Sequence, residues 1–219
     1  MNFASREKAI EAIEKEKLIA ILRGVPKDKL IPLAEALYRG GVRALEVTFS
    51  HGAGCNPEET AEMIKLLTYS MGDRMHIGAG TVLTAREVEL TKEAGGSFII
   101  SPNRDRAVIE RTRELSMVSI PGALTPSEVV EAHSYGADFV KLFPVSTLGA
   151  EYVKAVRAPL PHTKLLAVGG INETNVGEYL KAGVCGFGVG SNIIDKKALD
   201  SGDFDAITRL SKKYVMAVK

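Results

Sequence analysis

Several features that define other classes of protein are scarce in this sequence. Its 219 residues contain two cysteines, Cys55 and Cys185, and no CxxC pair. Two widely separated cysteines argue against a disulfide scaffold and against a structural zinc site. The four histidines show no spacing typical of metal ligands, so we expect no metal in this chain.

A charge excess and a long apolar run are also missing. Lys and Arg number 28 against 27 Asp and Glu, a net charge of +1 that offers no long-range attraction for nucleic acid or an anionic membrane. No run approaches the roughly 18 apolar residues of a membrane span. The segment 1–17, "MNFASREKAIEAIEKEK", has a charged helical pattern and lacks the apolar stretch of a signal peptide. We therefore expect a cytoplasmic protein with neither a nucleic-acid nor a membrane partner.

The sequence does contain a regular alternation of two patterns. Short apolar runs rich in β-branched residues alternate with amphipathic segments such as 27–41, 57–72 and 84–96, many of which end at glycine. The motif "TPSE" at 125–128 predicts a helix start, with Thr as N-cap, Pro at N1 and Glu at N3. The apolar runs, which we predict to be strands, are 18–25, 44–50, 75–82, 97–102, 117–124, 138–145, 164–171 and 184–191.

This order of segments predicts the fold class. Alternating β and α segments favour a parallel sheet, and near-continuous apolar strands indicate that both of its faces are covered. Eight units without a domain-sized insertion favour an α/β protein with a (β/α)8 TIM barrel, preceded by an N-terminal helix, as a single domain over residues 1–219. An open, doubly wound sheet is the structural alternative.

Polar residues stand late in several predicted strands, where a barrel places its chemistry. They are Arg23, Glu46, Thr48, Thr81, Ser101 and Lys141. All should point toward one mouth, and the two-residue period of a strand puts Glu46 and Thr48 on one face. A structural ion pair would explain any single charge. Three charges of mixed sign at matching positions favour a site, in which we include Thr48 as a substrate-binding residue.

Lys141 is the most unusual of these residues, because apolar side chains flank it in "DFVKLFPV". A lysine is rarely buried without a partner, since an unpaired buried ammonium is costly and tends to lose its proton. As an ammonium, Lys141 could bind an anion. As an amine whose pKa is lowered by burial and by Arg23, it could attack a carbonyl and form a Schiff base. Glu46 could then shuttle the protons that this chemistry adds and removes.

Glycine-rich turns follow the last two predicted strands. They are "AVGGIN" at 167–172 and "GVGSNI" at 188–193. Barrels often hold phosphate at these two positions through backbone N–H groups, to which Ser191 can add a hydroxyl. Tight turns alone would also explain the glycines. Another polar residue near the mouth, His51 on the loop after the second strand, is predicted to be solvated.

The sequence resembles a known protein family. The motifs "LEVTF", "IGAGTV", "FIISPN", "IPGALTPSE", "GADFVKLFP" and "VGGIN", in this order, resemble the 2-keto-3-deoxy-6-phosphogluconate (KDPG) aldolases, which also act on 4-hydroxy-2-oxoglutarate. The likeness extends over nearly the whole chain. It implies a class I aldolase on a (β/α)8 barrel, a homotrimer without metal or other cofactor, whose partner is a small 2-oxo acid substrate.

The resemblance also implies roles for individual residues. Lys141 would form the Schiff base with pyruvate, and Glu46 would be the acid/base. Arg23 and Thr81 match positions that hold the pyruvate carboxylate, and Pro102 lines the pocket. The residues that match the phosphate end are Gly169, Gly170, Gly190 and Ser191.

Two departures from the family pattern affect substrate fit. Many members have an arginine soon after the second strand, whereas this chain continues "FSHGAGCNPEE" and leaves Arg23 to do that work. Members commonly have threonine before the glycine pair after strand 7, where this chain has Val168. We expect a Schiff-base aldolase for KDPG, with 4-hydroxy-2-oxoglutarate, a C4 epimer or a non-phosphorylated analogue as alternative substrates. A phosphate-binding isomerase or epimerase and a non-catalytic binding barrel are the rival hypotheses.

Overall fold

The computed structural model describes residues 5–219 as one parallel sheet surrounded by helices. The order of strands in the sheet is β5-β4-β3-β2-β1-β9-β8-β7-β6. The nine strands are β1 (Leu18–Leu22), β2 (Ala44–Thr48), β3 (His76–Gly80), β4 (Phe98–Ile100), β5 (Val118–Ile120), β6 (Gly122–Ala123), β7 (Val140–Leu142), β8 (Leu165–Val168) and β9 (Gly186–Val189).

The sheet closes into a barrel through the segment 118–123. Pro121 separates β5 from β6 and has no N–H to donate, so one barrel strand appears as two short pieces. This segment is bonded on both sides. The carbonyl of Ile120 accepts a hydrogen bond from Ser101 N at 3.2 Å, and the carbonyl of Pro121 accepts one from Lys141 N at 2.9 Å. The predicted eight-stranded barrel is therefore confirmed, and each of the eight predicted runs contains a strand.

Helices cover the outside of the barrel and one of its ends. The N-terminal helix α1 was predicted within residues 1–17, of which 1–4 lie outside the described residues. The helices are α1 (Arg6–Glu16), α2 (Leu30–Arg39), α3 (Pro57–Met71), α4 (Ala85–Glu93), α5 (Arg106–Glu114), α6 (Pro126–Ser134), α7 (Gly149–Arg157), α8 (Val176–Lys181), α9 (Lys196–Ser201) and α10 (Phe204–Ala217).

The ends of these helices follow local sequence signals. Thr125 caps α6 and Thr84 caps α4, in both cases by a capping box with the glutamate three residues later. At the amino end of the strands, Ala9 and Ile13 of α1 pack into the buried cluster that fills the barrel. That end is therefore closed, and only the carboxyl end is left for a site. No helix among residues 5–219 is long and apolar enough to cross a membrane.

Glycines on the inner face of the barrel make room for large side chains on neighbouring strands. A Cβ at Gly78 would lie 2.4 Å from the ring of Phe98, and one at Gly80 would lie 1.6 Å from Oε1 of Glu46. Both separations are far below van der Waals contact, so only glycine fits at these two positions. The glycines of β3 thus determine how Phe98 fills the interior and where the Glu46 carboxyl lies.

Candidate active site

A cavity of about 710 Å³ opens at the carboxyl end of the strands. Its volume is typical of small-molecule sites, and its place is the one at which barrels carry their chemistry. The predicted site residues that line it are Arg23, Thr81, Pro102, Lys141, Gly169, Gly170, Gly190 and Ser191. Residues from strands and loops far apart in the sequence therefore meet at one mouth.

Lys141 lies in β7 with 6% of its surface exposed. Its backbone is fixed by the sheet, where it pairs with Gly122 on one side and Leu166 on the other. The ammonium nitrogen Nζ lies 4.8 Å from the centroid of the Phe143 ring. Burial lowers the pKa of Lys141, the positive charge of Arg23 lowers it further, and Glu46 acts in the opposite direction. The net effect shifts Lys141 toward the free amine.

Glu46 lies in β2 and is almost fully buried, at 1% exposure. Its Oε1 occupies the space above Gly80, and its Oε2 accepts no hydrogen bond from any described residue. Burial raises the pKa of Glu46, against the opposing effects of Lys141 and Arg23. Burial thus drives Glu46 and Lys141 toward a neutral acid beside a neutral amine. A buried carboxyl oxygen without a partner is also expected where a ligand or water completes the site.

Arg23 and Thr81 form a polar edge of the cavity. Arg23 follows β1 and is exposed, and its Nη2 lies 3.5 Å from the hydroxyl oxygen of Thr81. Thr81 follows β3 with a φ of 54°, in the left-handed region that β-branched residues rarely adopt. Strained backbone of this kind often accompanies a functional contact. The arrangement offers a guanidinium and a hydroxyl to a carboxylate.

The loops after β8 and β9 form another part of the cavity wall. Gly169 and Gly170 have φ values of 97° and 73°, which glycine adopts at little cost. A Cβ at Gly170 would lie 2.4 Å from Cβ of Ser146, so this position also needs glycine for space. Asn192 ties the two loops together, because its Nδ2 donates to the carbonyl of Ile171 at 2.8 Å. The exposed Ser191 lies on this side, as predicted for an anion site.

The structure gives Thr48 and His51 contacts that the sequence does not reveal. Thr48 is buried, is absent from the cavity lining within residues 5–219, and donates its hydroxyl to the carbonyl of Leu22 at 3.3 Å. Its expected contact with substrate stays a prediction. His51 is exposed, as predicted, and in addition its Nε2 lies 2.7 Å from the carbonyl oxygen of Thr81.

Phe143, Asn192 and Lys196 are among the cavity-lining residues that the sequence analysis does not identify. Lys196 begins α9, and its Nζ pairs with Asp200 at 3.0 Å on the side of the glycine loops. Its position shortly after the eighth strand was the available signal, since this is where barrels bind phosphate.

No group of three or more His, Cys, Asp or Glu side chains in the described residues has the arrangement of a metal site.

Comparisons with known proteins agree on one family. The family model described as "Aldolase: KDPG and KHG aldolase" matches residues 9–210. A probable 2-dehydro-3-deoxy-6-phosphogalactonate aldolase from Rhizobium meliloti is 37% identical over 187 residues, which are 85% of each chain. A 2-dehydro-3-deoxy-phosphogluconate aldolase from Haemophilus influenzae is 30% identical over 223 aligned positions, with complete coverage of both chains.

A solved structure of a KDPG aldolase has a fold similar to that of this chain. It is a KDPG aldolase from Legionella pneumophila with pyruvate captured as a covalent carbinolamine intermediate. It superposes with a TM-score of 0.83 at 30% identity, covering 93% of this chain and 96% of that one.

Proposed function

Because the chain belongs to the KDPG and KHG aldolase family and is a class I aldolase, we propose that Lys141 is the residue that forms the Schiff base with the 2-oxo acid. The observation that carries this proposal is the buried amine itself. Lys141 lies at the cavity wall, and burial holds its pKa below the ordinary lysine value. A lowered pKa increases the share of Lys141 that is the nucleophilic free amine, compared with a solvated lysine.

The reaction begins when the Lys141 amine adds to the C2 carbonyl of the substrate. The resulting carbinolamine loses its hydroxyl as water, and the acid form of Glu46 supplies the proton for this step. The products are an iminium at Lys141 and a carboxylate at Glu46. The raised pKa of Glu46 suits it to this donation, because the carboxyl must be protonated before dehydration.

Carbon–carbon cleavage uses the same two residues. The Glu46 carboxylate takes the proton of the C4 hydroxyl through a water molecule, the C3–C4 bond breaks, and its electron pair flows into the iminium to give an enamine. The aldehyde formed from C4 then leaves. Protonation of the enamine at C3 and hydrolysis of the iminium release pyruvate and regenerate the amine. Lys141 therefore acts as an electron sink held next to an acid/base.

The polar edge of the cavity suits the carboxylate of the substrate. Arg23 supplies a guanidinium and Thr81 a hydroxyl, at 3.5 Å from each other, and Pro102 lines the same wall. A guanidinium can hold a carboxylate through two hydrogen bonds. We assign these residues, with Thr48 still an untested candidate, to recognition of the C1 carboxylate that KDPG and pyruvate share.

The glycine loops after β8 and β9 suit the substrate phosphate. Gly169, Gly170 and Gly190 present backbone to the cavity without side chains, and Ser191 adds a hydroxyl. Lys196 adds a cation on the same side. The cavity thus offers groups for both a carboxylate and a phosphate of one substrate.

The substrate we propose is KDPG, which this reaction cleaves to pyruvate and glyceraldehyde 3-phosphate, with 4-hydroxy-2-oxoglutarate cleaved to pyruvate and glyoxylate as a further activity. One observation favours a second candidate, the C4 epimer of KDPG. Val168 lines the cavity next to Gly169, where many members have a hydroxyl. The relative from Rhizobium meliloti is named a probable phosphogalactonate aldolase, and the phosphogalactonate substrate is that epimer. Both epimers give the same two products, so both fit the same mechanism.

We also propose that the chain acts as a single domain, in a homotrimer and in the cytoplasm, as the family resemblance implies. Sedimentation of the purified protein tests the trimer. A sedimenting monomer or dimer would contradict it.

Borohydride trapping tests the assignment of Lys141. With pyruvate and borohydride, the wild-type protein should gain the mass of one reduced pyruvate adduct, located on Lys141 by peptide mapping. Lys141→Arg should not be trapped and should lose nearly all cleavage, because a guanidinium does not form the imine. Lys164→Arg is the matched control, since Lys164 is partly exposed and pairs with Glu14 of α1 at the opposite end of the barrel.

The same experiment separates the aldolase from its rivals. An isomerase that used Lys141 only for its charge, or a binding barrel, would not be trapped and would release no pyruvate. A panel of 2-oxo acids, assayed for pyruvate release, then ranks KDPG, its C4 epimer and 4-hydroxy-2-oxoglutarate. An adduct on Lys141→Arg would overturn the assignment.

A further inference from the structure

His51 joins the two loops that follow β2 and β3. Its Nε2 lies 2.7 Å from the carbonyl oxygen of Thr81. A carbonyl oxygen can only accept a hydrogen bond, so Nε2 carries the proton and donates it. The other ring nitrogen, Nδ1, lies 3.6 Å from Oε1 of Glu87. The ring is thus held between one loop and the first turn of α4.

Glu87 is a fixed support for this ring. Its Oε2 accepts hydrogen bonds from the backbone N–H groups of Leu83, at 2.7 Å, and Thr84, at 3.0 Å. Its own N–H is bonded to the hydroxyl of Thr84 in the capping box of α4. The side chain is 8% exposed. The carboxylate is therefore held in place by the backbone around the first turn of α4.

Thr81 is the residue that needs such support. Its left-handed backbone, with a φ of 54°, is unfavourable for a β-branched residue and persists only where its surroundings hold it. Its hydroxyl lies 3.5 Å from Nη2 of Arg23, and both residues line the cavity. His51 bonds the carbonyl of this same residue. A change at His51 would therefore reach Arg23 through Thr81, without His51 itself lining the cavity.

We propose that His51 is a positioning residue for the aldolase reaction, which holds Thr81 so that its hydroxyl and Arg23 face the substrate carboxylate. This inference rests on the function proposed above. In this chain the loop after β2 has no arginine before Asn56, so its part in carboxylate binding is indirect. His51 orients a contact residue on the neighbouring loop.

Kinetics of three variants test this role. We expect His51→Ala to raise the KM for pyruvate, measured as hydrogen–deuterium exchange of its methyl group, by roughly three- to tenfold, the value of one neutral hydrogen bond. The kcat should change less than twofold, because Lys141 and Glu46 are not moved. His51→Gln keeps an N–H donor at a similar reach and should restore most of the lost affinity. Cys55→Ala, on the exposed part of the same loop, is the control and should match wild type.

A double-mutant cycle shows whether the effect passes through Thr81. In a Thr81→Ser background, which keeps the hydroxyl, His51→Ala should raise KM as it does in wild type. In a Thr81→Ala background, it should add less than twofold. If alanine at position 51 unfolds the protein, His51→Phe keeps a ring without a donor and should give the same KM increase.

Two results would overturn the proposal. One is a wild-type KM in His51→Ala or His51→Phe. The other is a full additional KM increase in the Thr81→Ala background. Failure of the underlying function looks different, because wild-type protein would then give no borohydride adduct with pyruvate. A trapped wild-type protein with an unaffected His51→Ala rejects only the role of His51.

Discussion

Replacing Val168 by threonine should change the substrate preference of this aldolase. Val168 ends β8, is 6% exposed and lines the cavity beside Gly169. Its Cγ2 lies 2.9 Å from the place that a Cβ on Gly188 would take, so the side chain is closely packed on the β9 side. Threonine has the same shape, with one methyl group exchanged for a hydroxyl. The variant should therefore fold, and it offers a donor where this chain has none.

The size of the effect follows from the value of one hydrogen bond. A bond from a neutral donor to a charged or strongly polar ligand group contributes about 1.5–3 kcal/mol, or roughly ten- to a hundredfold in affinity. Against this stands the cost of a buried hydroxyl in the free protein, about 1–3 kcal/mol if it stays unpaired. Since Val168 borders the cavity, water can reduce that cost. We expect wild-type protein to discriminate weakly between KDPG and its C4 epimer, and Val168→Thr to shift the ratio toward KDPG by roughly tenfold.

The assay is kcat/KM for KDPG, its C4 epimer and 4-hydroxy-2-oxoglutarate, measured by pyruvate release in both proteins. Val168→Ala is the matched control, since it removes the methyl groups without adding a hydroxyl. If Val168→Ala shifts the ratio as much as Val168→Thr does, space rather than hydrogen bonding is the cause. A wild-type preference for KDPG above about 10³ exceeds what one missing hydrogen bond leaves room for, and would refute the reasoning.

The remaining predictions concern the acid/base, the phosphate end, the amine and the packing around Glu46. Glu46→Gln should lower kcat by about 10²–10⁴, the usual range for general acid–base catalysis, while trapping by borohydride slows but persists; wild-type turnover would place the base elsewhere. Ser191→Asp puts a negative charge beside the phosphate, so the KM for KDPG should rise far more than the KM for pyruvate measured by hydrogen–deuterium exchange. Ser191→Ala is the uncharged control. Equal increases in the two KM values would locate the phosphate elsewhere. Burial lowers the pKa of Lys141, and only the neutral amine attacks the carbonyl. The rate of borohydride trapping should therefore rise with pH and level off below the ordinary lysine pKa of about 10.4. A trapping rate that continues to rise past that pH would contradict the buried amine. Gly80→Ala would place a Cβ 1.6 Å from Oε1 of Glu46. The displaced carboxyl should lower kcat with little change in the KM for pyruvate. An unaffected kcat would mean that catalysis does not need the Glu46 carboxyl above Gly80.

The sequence by itself determined the class of fold and singled out the lysine that we propose as the reactive one. Alternation of apolar runs with amphipathic segments is a local pattern, set by which side chains each strand and helix must bury. It predicted all eight barrel strands and, through the capping signal at Thr125, the start of α6. A lysine within an apolar strand is also visible locally, because its apolar neighbours in the sequence predict that the strand is buried. Lys141 and Glu46 therefore stand out as candidates in the sequence alone.

The tertiary structure decided what surrounds those residues. Strand period placed Thr48 on the same face as Glu46, yet register and closure of the barrel put Thr48 against the carbonyl of Leu22 and left Glu46 above Gly80. No local pattern reports a contact between side chains that are distant in sequence.

His51 and Lys196 show the same limit. From the sequence, His51 is a loop residue exposed to water. Only the fold shows that it also contacts Thr81 and Glu87, which follow β3. Lys196 belongs to the cavity only because the barrel brings α9 beside the glycine loops. The shifts in the pKa of Lys141 and Glu46 are likewise tertiary, since both follow from desolvation inside a closed barrel. The chain thus encodes its reactive groups locally, while their protonation and their neighbours exist only once the strands have closed.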